Sequence, residues 1–208
     1  MQDDIAFRPY QPSDQQALSD IIRKTWQYDR FASAKIANRM ARLYLDSCLA
    51  NQTYTQVAVQ NGRPLGIIMA KNCHLHRCSL SQGLRFLRSL LAVLINSEGR
   101  RVMKIFSSVQ NVDNLLLKDA GKSYDGEIAF FALASGARGK GLGRQLFQKA
   151  RLHLHTEGIR RCFLFTDTTC NYPFYEHLGL SRRAERKRTL PIDGERSAMT
   201  FFIYDFQP

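Results

Sequence analysis

Gly126-Glu127-Ile128-Ala129-Phe130-Phe131-Ala132-Leu133-Ala134, followed through Ser135-Gly136-Ala137 by Arg138-Gly139-Lys140-Gly141-Leu142-Gly143-Arg144, is the stretch that decides the fold. Its first part is a nearly continuous apolar run, the pattern of a strand buried on both faces. Its last part leaves that strand through glycines, after which Leu142, Leu146, Phe147, Ala150 and Leu154 share one face of a helix. Gly158 ends the helix, and Arg161 to Phe165 reads as a further buried strand. Strand, crossover helix and strand make a right-handed βαβ unit, so these two strands run parallel.

The chemistry of the glycine loop follows from its place between strand and helix. Small residues let backbone N–H groups turn toward one point and let an anion approach, and the helix N-terminus adds partial positive charge there. A pyrophosphate fits such a loop. Spacing excludes two glycine motifs: a dinucleotide fingerprint needs glycine where Arg144 stands, and a P-loop needs Lys then Ser or Thr where Leu142 and Gly143 stand. Arg-x-x-Gly-x-Gly remains, read at Arg138, Gly141 and Gly143. By itself that pattern also describes an ordinary structural turn.

Working outward, Ile5 to Pro9 reads as a first strand, and Ser13 with Gln16 as a capping box opening a helix with Leu18, Ile21, Ile22 and Thr25 on its inner face. A second helix is expected from Ala32 to Ala50. Tyr54 to Gln60 and Leu65 to Ala70, joined by Asn61-Gly62, form a hairpin. Residues 72–122 break the strand pattern and predict an inserted helical pair, Leu80 to Ile95 and Arg101 to Leu117, with Leu84, Leu87, Leu90, Leu91 and Leu94 at core spacing. Downstream, Pro173 opens a short helix to Leu178. Two strands, Ser181 to Leu190 and Ser197 to Phe206, close the chain around Asp193 and Gly194. The chain therefore reads as one α/β domain, 1–208, with no visible repeat or linker.

Beyond the loop, the strand from Gly126 to Leu133 with its Glu127, Asn171, and Phe174-Tyr175-Glu176-His177-Leu178-Gly179-Leu180 together resemble the GNAT superfamily of N-acetyltransferases. The resemblance spans residues 5 to 71 by element order and 125 to 206 by motif, leaving the insertion unmatched. It implies a mixed, mostly antiparallel sheet of six to seven strands, with a splayed central parallel pair and flanking helices. It further implies acetyl-CoA as co-substrate, with a primary amine, small-molecule or peptide, as acceptor. Carried over residue by residue, Leu133 and Ala134 would pair with the pantetheine arm, the Leu133 N–H facing the thioester oxygen. Amides from Gly139 to Arg144, namely those of Gly139, Lys140, Gly141, Leu142, Gly143 and Arg144, would hold the pyrophosphate, with Arg138 and Lys140 supplying charge.

Glu127 is the candidate general base, acting directly or through a water; the plainer reading pairs it with a basic residue at the strand's start. Tyr175 is the candidate acid for the departing thiolate, against a plain core aromatic beside Phe174. Asn171 is a candidate for the pantetheine amide, although its spacing to Tyr175 is shorter than the family's commonest pattern. Presence of Glu127 and Tyr175 together argues against a CoA-binding module without catalysis.

Composition bounds the alternatives. With 44% hydrophobic and 23% charged residues the 208-residue chain is ordinary globular protein. A net charge of +12 attracts polyanions and argues against an acidic acceptor groove. The basic run Arg182, Arg183, Arg186, Lys187 and Arg188 lacks the aromatic interleaving of a single-strand nucleic-acid platform, so it reads as a solvated strand face. Five widely spaced cysteines imply a reducing cytoplasm, and Met1 to Pro12 carries no signal-peptide run. Leu90 to Ile95 is too short to span a bilayer. Cys73-His74-Leu75-His76-Arg77-Cys78 is read as an alternating strand extension rather than a metal site, because adjacent Cys73 and His74 cannot easily share one ion. The basic insertion is either an acceptor lid or two solvated amphipathic helices forming a homodimer contact.

Overall fold

The computed structural model describes residues 5–30, 32–192 and 195–208, with side chains for all of these except 105–110, 190–192 and 195–197. Strands β1 (Ile5–Arg8), β2 (Tyr54–Gln60), β3 (Arg63–Asn72), β4 (Gly126–Leu133), β5 (Cys162–Asp167), β6 (Ser181–Ile192) and β7 (Glu195–Phe206) join one sheet in the order β1-β2-β3-β4-β5-β7-β6. Every neighbouring pair is antiparallel except β4 and β5. The mixed sheet with one parallel pair is the architecture expected from the sequence.

Helices α1 (Gln15–Thr25) and α2 (Ala34–Ala50) follow β1. Their inner faces, Leu18, Ile21, Ile22, Ile36, Met40 and Leu45 among them, pack on one side of the sheet with Val57, Ile67, Met69 and Phe130. Thr25 is only half-buried. The cap of α1 differs from the expected Ser13 box: the chain enters through a 3-10 turn at Pro12–Asp14. There Asp14 accepts from the Gln11 N–H at 2.9 Å and takes both Arg8 guanidinium nitrogens at 2.7 Å. The β2–β3 hairpin turns at Asn61 (φ 50°) and Gly62 (φ 75°), the positive values that this dipeptide was expected to supply.

Helix α5 (Leu142–Thr156) crosses the other side of the sheet and buries Leu142, Leu146, Phe147, Ala150 and Leu154 as its period required. A short helix, α6 (Pro173–His177), follows β5. The turn expected at Asp193 and Gly194 lies outside the described residues.

The insertion is a helical pair, α3 (Leu80–Leu94) and α4 (Ser97–Ala120), the second longer than its periodicity suggested. Asn96 caps α4 by accepting from the Glu98 N–H at 2.9 Å, and Gly121 ends it at φ 60°. The leucines of α3 correct the sequence reading: Leu84, Leu87, Leu91 and Leu94 are exposed, and Leu80 and Ile95 are 94% and 79% open to solvent. The inner face is instead Phe86, Ser89, Leu90 and Val93, with Ser89 donating to Asp46 of α2 at 2.5 Å. A buried carboxylate that needs a donor thus selects which side of α3 faces inward.

The stretch Cys73 to Cys78 also departs from the expected strand extension. It turns, because the Asn72 side chain accepts from the His74 and Leu75 N–H groups at 3.1 and 3.3 Å. No described helix is long and apolar enough to cross a membrane.

Candidate active site

Strands β4 and β5 pair only at Gly126 with Cys162 and Glu127 with Phe163, after which no ladder joins them. Each keeps its antiparallel neighbour on the far side, β3 and β7. The β3–β4 register steps from Met69 opposite Phe130 to Ala70 opposite Ile128, leaving Ala129 as an extra residue. Such a bulge bends and twists its strand, which opens a seam between β4 and β5.

The backbone at the end of β4 is directional. Ala134 N–H donates to Leu65 carbonyl at 2.8 Å, and successive residues of an antiparallel pair send their amides to opposite edges. Leu133, opposite Gly66, therefore aims its N–H away from β3 and into the seam. Ala134, expected to act beside it, already bonds within the chain. Its N–H is given to Leu65 and its carbonyl accepts from Ala137 N–H at 3.0 Å, so both groups are engaged within the chain.

At the glycine loop the sign of φ matters. Gly139 and Gly141 stand at 76° and 74° with open space where a side chain would go, so glycine is favoured there by backbone conformation rather than by crowding. The first bond inside α5 runs from Gln145 N–H to Gly141 carbonyl at 3.2 Å. The amides of Leu142, Gly143 and Arg144 consequently have no acceptor in the helix and point outward, where the helix dipole adds positive character. The side chains of Arg138, Lys140 and Arg144 are exposed around them, whereas Leu142 is buried and offers only its amide. Arg138 also reaches the Leu133 carbonyl at 3.4 Å. Amides without helical acceptors and exposed cationic side chains thus meet at this end of the seam.

Tyr175 lies on α6, its ring 5.3 Å from Phe174, 6.0 Å from Tyr204 and 6.2 Å from Phe147. Desolvation raises its hydroxyl well above the ordinary tyrosine value, which keeps the phenol in its neutral form. Glu176 is committed elsewhere, to Arg182 and to Tyr204 hydroxyl at 2.7 Å. Asn171 is exposed, and its carbonyl begins the α6 turn by accepting from Phe174 N–H at 3.2 Å. Glu127 is not a lone carboxylate: Lys71, directly opposite on β3, holds it at 2.9 Å while also donating to Asn51 at 2.9 Å. The structure thus contains the cation partner of the plainer sequence reading.

On the helical side of the seam stand residues that the sequence reading did not single out. Trp26 stacks on Phe130 at 5.8 Å, and Tyr44 sets its edge against both at 5.6 Å. Asp113 of α4 joins them. Its carboxyl lies within electrostatic reach of Glu127 and of Asp167 at the end of β5. Being the one tryptophan in the chain was Trp26's only signal in the sequence; Asp113 was one acid among the many cations of the insertion. The basic run on β6 is largely neutralised: Arg182 pairs with Glu176 and Glu185, Arg183 with Asp205, and Arg186 with Asp119 of α4.

The fold that carries this seam is shared with known proteins. The model of the acetyltransferase (GNAT) family matches residues 16–180. Among solved structures, an N-acetyltransferase from Staphylococcus aureus Mu50 superposes with a TM-score of 0.56 at 12% identity, covering 98% of each chain. The ribosomal-protein-S18-alanine N-acetyltransferase from Escherichia coli gives 0.55 at 13% identity, covering 98% of this chain and 94% of that one. The PaiA N-acetyltransferase from Thermoplasma acidophilum, in complex with coenzyme A, gives 0.53 at 14% identity over 99% of both. At such identities these likenesses establish the fold. No protein of curated function matches the sequence significantly. The family match covers most of the chain and includes the strand, the glycine loop and the Tyr175 segment, so this chain belongs to the acetyltransferase (GNAT) family of acyl-transfer enzymes that use acetyl-CoA.

Proposed function

We propose that residues 1–208 work as one domain that moves the acetyl group of acetyl-CoA to a primary amine of a small molecule by direct attack. The observation that carries this reading is the seam itself: one unpaired strand edge ending beside a helix start whose amides lack acceptors. In this reading the amides of Gly139 to Arg144 grip the pyrophosphate, with Arg138 and Lys140 near its charge. The pantetheine arm runs along β4, and Asn171 bonds one of its amides.

The chemistry then assigns itself by position. A free amine attacks the thioester carbon, the new C–N bond forms, and Leu133 N–H holds the oxyanion. The C–S bond breaks, Tyr175 gives its proton to the thiolate, and the proton left on nitrogen returns to the Tyr175 phenolate. Glu127, fixed by Lys71, is the candidate base on the amine side, through a water. A small acceptor is supported by the aromatic corner of Trp26, Tyr44 and Phe130, which is half-enclosed. All five cysteines are free thiols, which supports the reducing cytoplasm as the working compartment.

The test is an acetyl-CoA consumption assay across a library of primary amines, run beside calorimetry with coenzyme A. Coenzyme binding with amine-dependent thiol release is expected; absence of any coenzyme binding refutes the reading.

A further inference from the structure

The surface of this protein is basic, but the amine side of its seam is not. Among the described residues the charges that act on Asp113 of α4 are those of Glu127 from β4 and Asp167 from β5, and the Glu127 carboxylate is paired with the Lys71 ammonium. Asp167 has its own local partners, accepting from Thr169 N–H at 2.7 Å and Thr169 hydroxyl at 2.5 Å. Asp113 is different. Among the described residues nothing donates to it and no cation pairs with it; what its electrostatic environment contains is two further carboxylates.

Its position is fixed by packing. Val112 and Leu116, its neighbours on α4, are buried against Phe163 of β5 and Phe201 and Ile203 of β7. Side chains of a strand alternate between faces, so Asp167 lies on the same face of β5 as Phe163 and Phe165, the face that α4 covers. On the β4 side, Cys48 of α2 feels Glu127, which puts Glu127 on the α2 side as well. Tyr44 of α2 and Cys170 after β5 complete the surroundings, Tyr44 feeling both Asp113 and Cys170. A carboxyl on a helix packed against β5 and β7 therefore stands near Glu127 and Asp167, on either side of the β4–β5 seam, and near Tyr44 of the aromatic corner.

We infer that the inserted helix α4 supplies Asp113 to the acceptor side of the seam, where its carboxylate binds a cationic amine and takes the proton that must leave before attack. This rests on the acetyltransferase reading and deepens it, for it names the acceptor as a cation and adds Asp113 to Glu127 on the amine side as the group that first takes the proton. The step balances: an ammonium and the Asp113 carboxylate become a free amine and a neutral carboxylic acid, the acid returning its proton to solvent after the product leaves. Aromatic faces at Trp26 and Tyr44 suit the same cation. Desolvation, together with the charges of Glu127 and Asp167, pushes the Asp113 carboxyl up to about 7, where a general base is effective at neutral pH.

The test has two arms. In the first, protein labelled with 13C at the aspartate carboxyls is titrated by NMR. One resonance should have its midpoint near 7 and vanish in Asp113→Asn; finding every aspartate of the folded protein titrating below 5 overturns the inference. In the second, acetylation of 1,4-diaminobutane, 2-phenylethylamine and glycine is followed against pH. Both cationic probes should be acetylated faster than glycine, with rates that fall below a pKa of about 7. Asp113→Asn should lower kcat about 100-fold and abolish that limb. An Asp113→Asn enzyme with the parental rate and pH profile overturns the role, as does acetylation of glycine alone. Failure to bind coenzyme A, by contrast, strikes the acetyltransferase reading and is seen separately by calorimetry.

Discussion

The two segments that flank β4 are built by opposite logic. Downstream, the glycine loop and α5 are local: Gly139 and Gly141 set the backbone, the next residues start the helix, and the apolar period of α5 points it at the sheet. Upstream, α3 and α4 are held by distant partners. Ser89 answers Asp46, Glu98 takes the Ser33 N–H and hydroxyl at 2.6 and 2.8 Å, and Asp119 pairs with Arg186. A segment of the first kind takes its geometry from neighbouring residues in the chain, while one of the second kind is positioned by side chains far away in sequence. In the proposed reading the first provides the anion grip and the second provides Asp113.

The contrast is open to attack at several strengths. The largest effect should come from Leu116→Ala, which removes a fully buried side chain packed on Phe163, Phe201 and Ile203. A loss of about 2–5 kcal/mol is expected by denaturant unfolding. Were α4 merely laid on the surface, the midpoint would hardly move. Next is Gly141→Val, which puts a branched side chain at φ 74°. Strain of about 1–3 kcal/mol should appear as roughly 10- to 100-fold weaker coenzyme binding in calorimetry. Retention of full affinity would mean that the loop does not grip the phosphates.

How far the sequence could be read follows the same division. Strand order around the βαβ unit, the Asn61-Gly62 hairpin and the buried face of α5 were legible because each depends on nearest neighbours in the chain. The Lys71 partner of Glu127 was not, since it depends on β3 and β4 pairing in one register out of several. Which main-chain groups of β4 face the seam is likewise not legible from sequence, because it is set by where the Ala129 bulge and the Leu65 bond fall. Asp113 was invisible for a related reason: net charge of +12 describes the whole surface, whereas a cleft is decided by the few side chains that the fold gathers there.

Asp113 also makes a stability prediction separate from catalysis. A carboxyl whose pKa is about 7 when folded and about 3.9 when unfolded binds more protons in the native state between those values. The contribution of Asp113 to stability should therefore fall as pH rises from about 4 to about 7. Asp113→Asn removes that loss, so above pH 7 it should be the more stable protein, by about 1–3 kcal/mol after allowance for solvent at a partly exposed group. At pH 4 the two should melt alike. Equal melting at both pH values would place Asp113 in ordinary solvent and weaken the case for an acidic seam.

The smallest effect is the most pointed test of the insertion. Leu84 and Leu87 are 60% and 47% exposed, and with Leu80, Leu91 and Leu94 they recur at steps of four and three residues, the spacing that would ordinarily mark a buried stripe. Burial, not period, determines what a leucine contributes to folding. Leu84→Gln and Leu87→Gln should consequently change the unfolding free energy by no more than about 0.5 kcal/mol, whereas Val93→Ala, on the inner face, should cost more. If both glutamine variants instead lost several kcal/mol, the helix would be rotated from the position that Ser89 and Asp46 define. The placement of α4 behind it, with Asp113 over the seam, would then have to be redrawn.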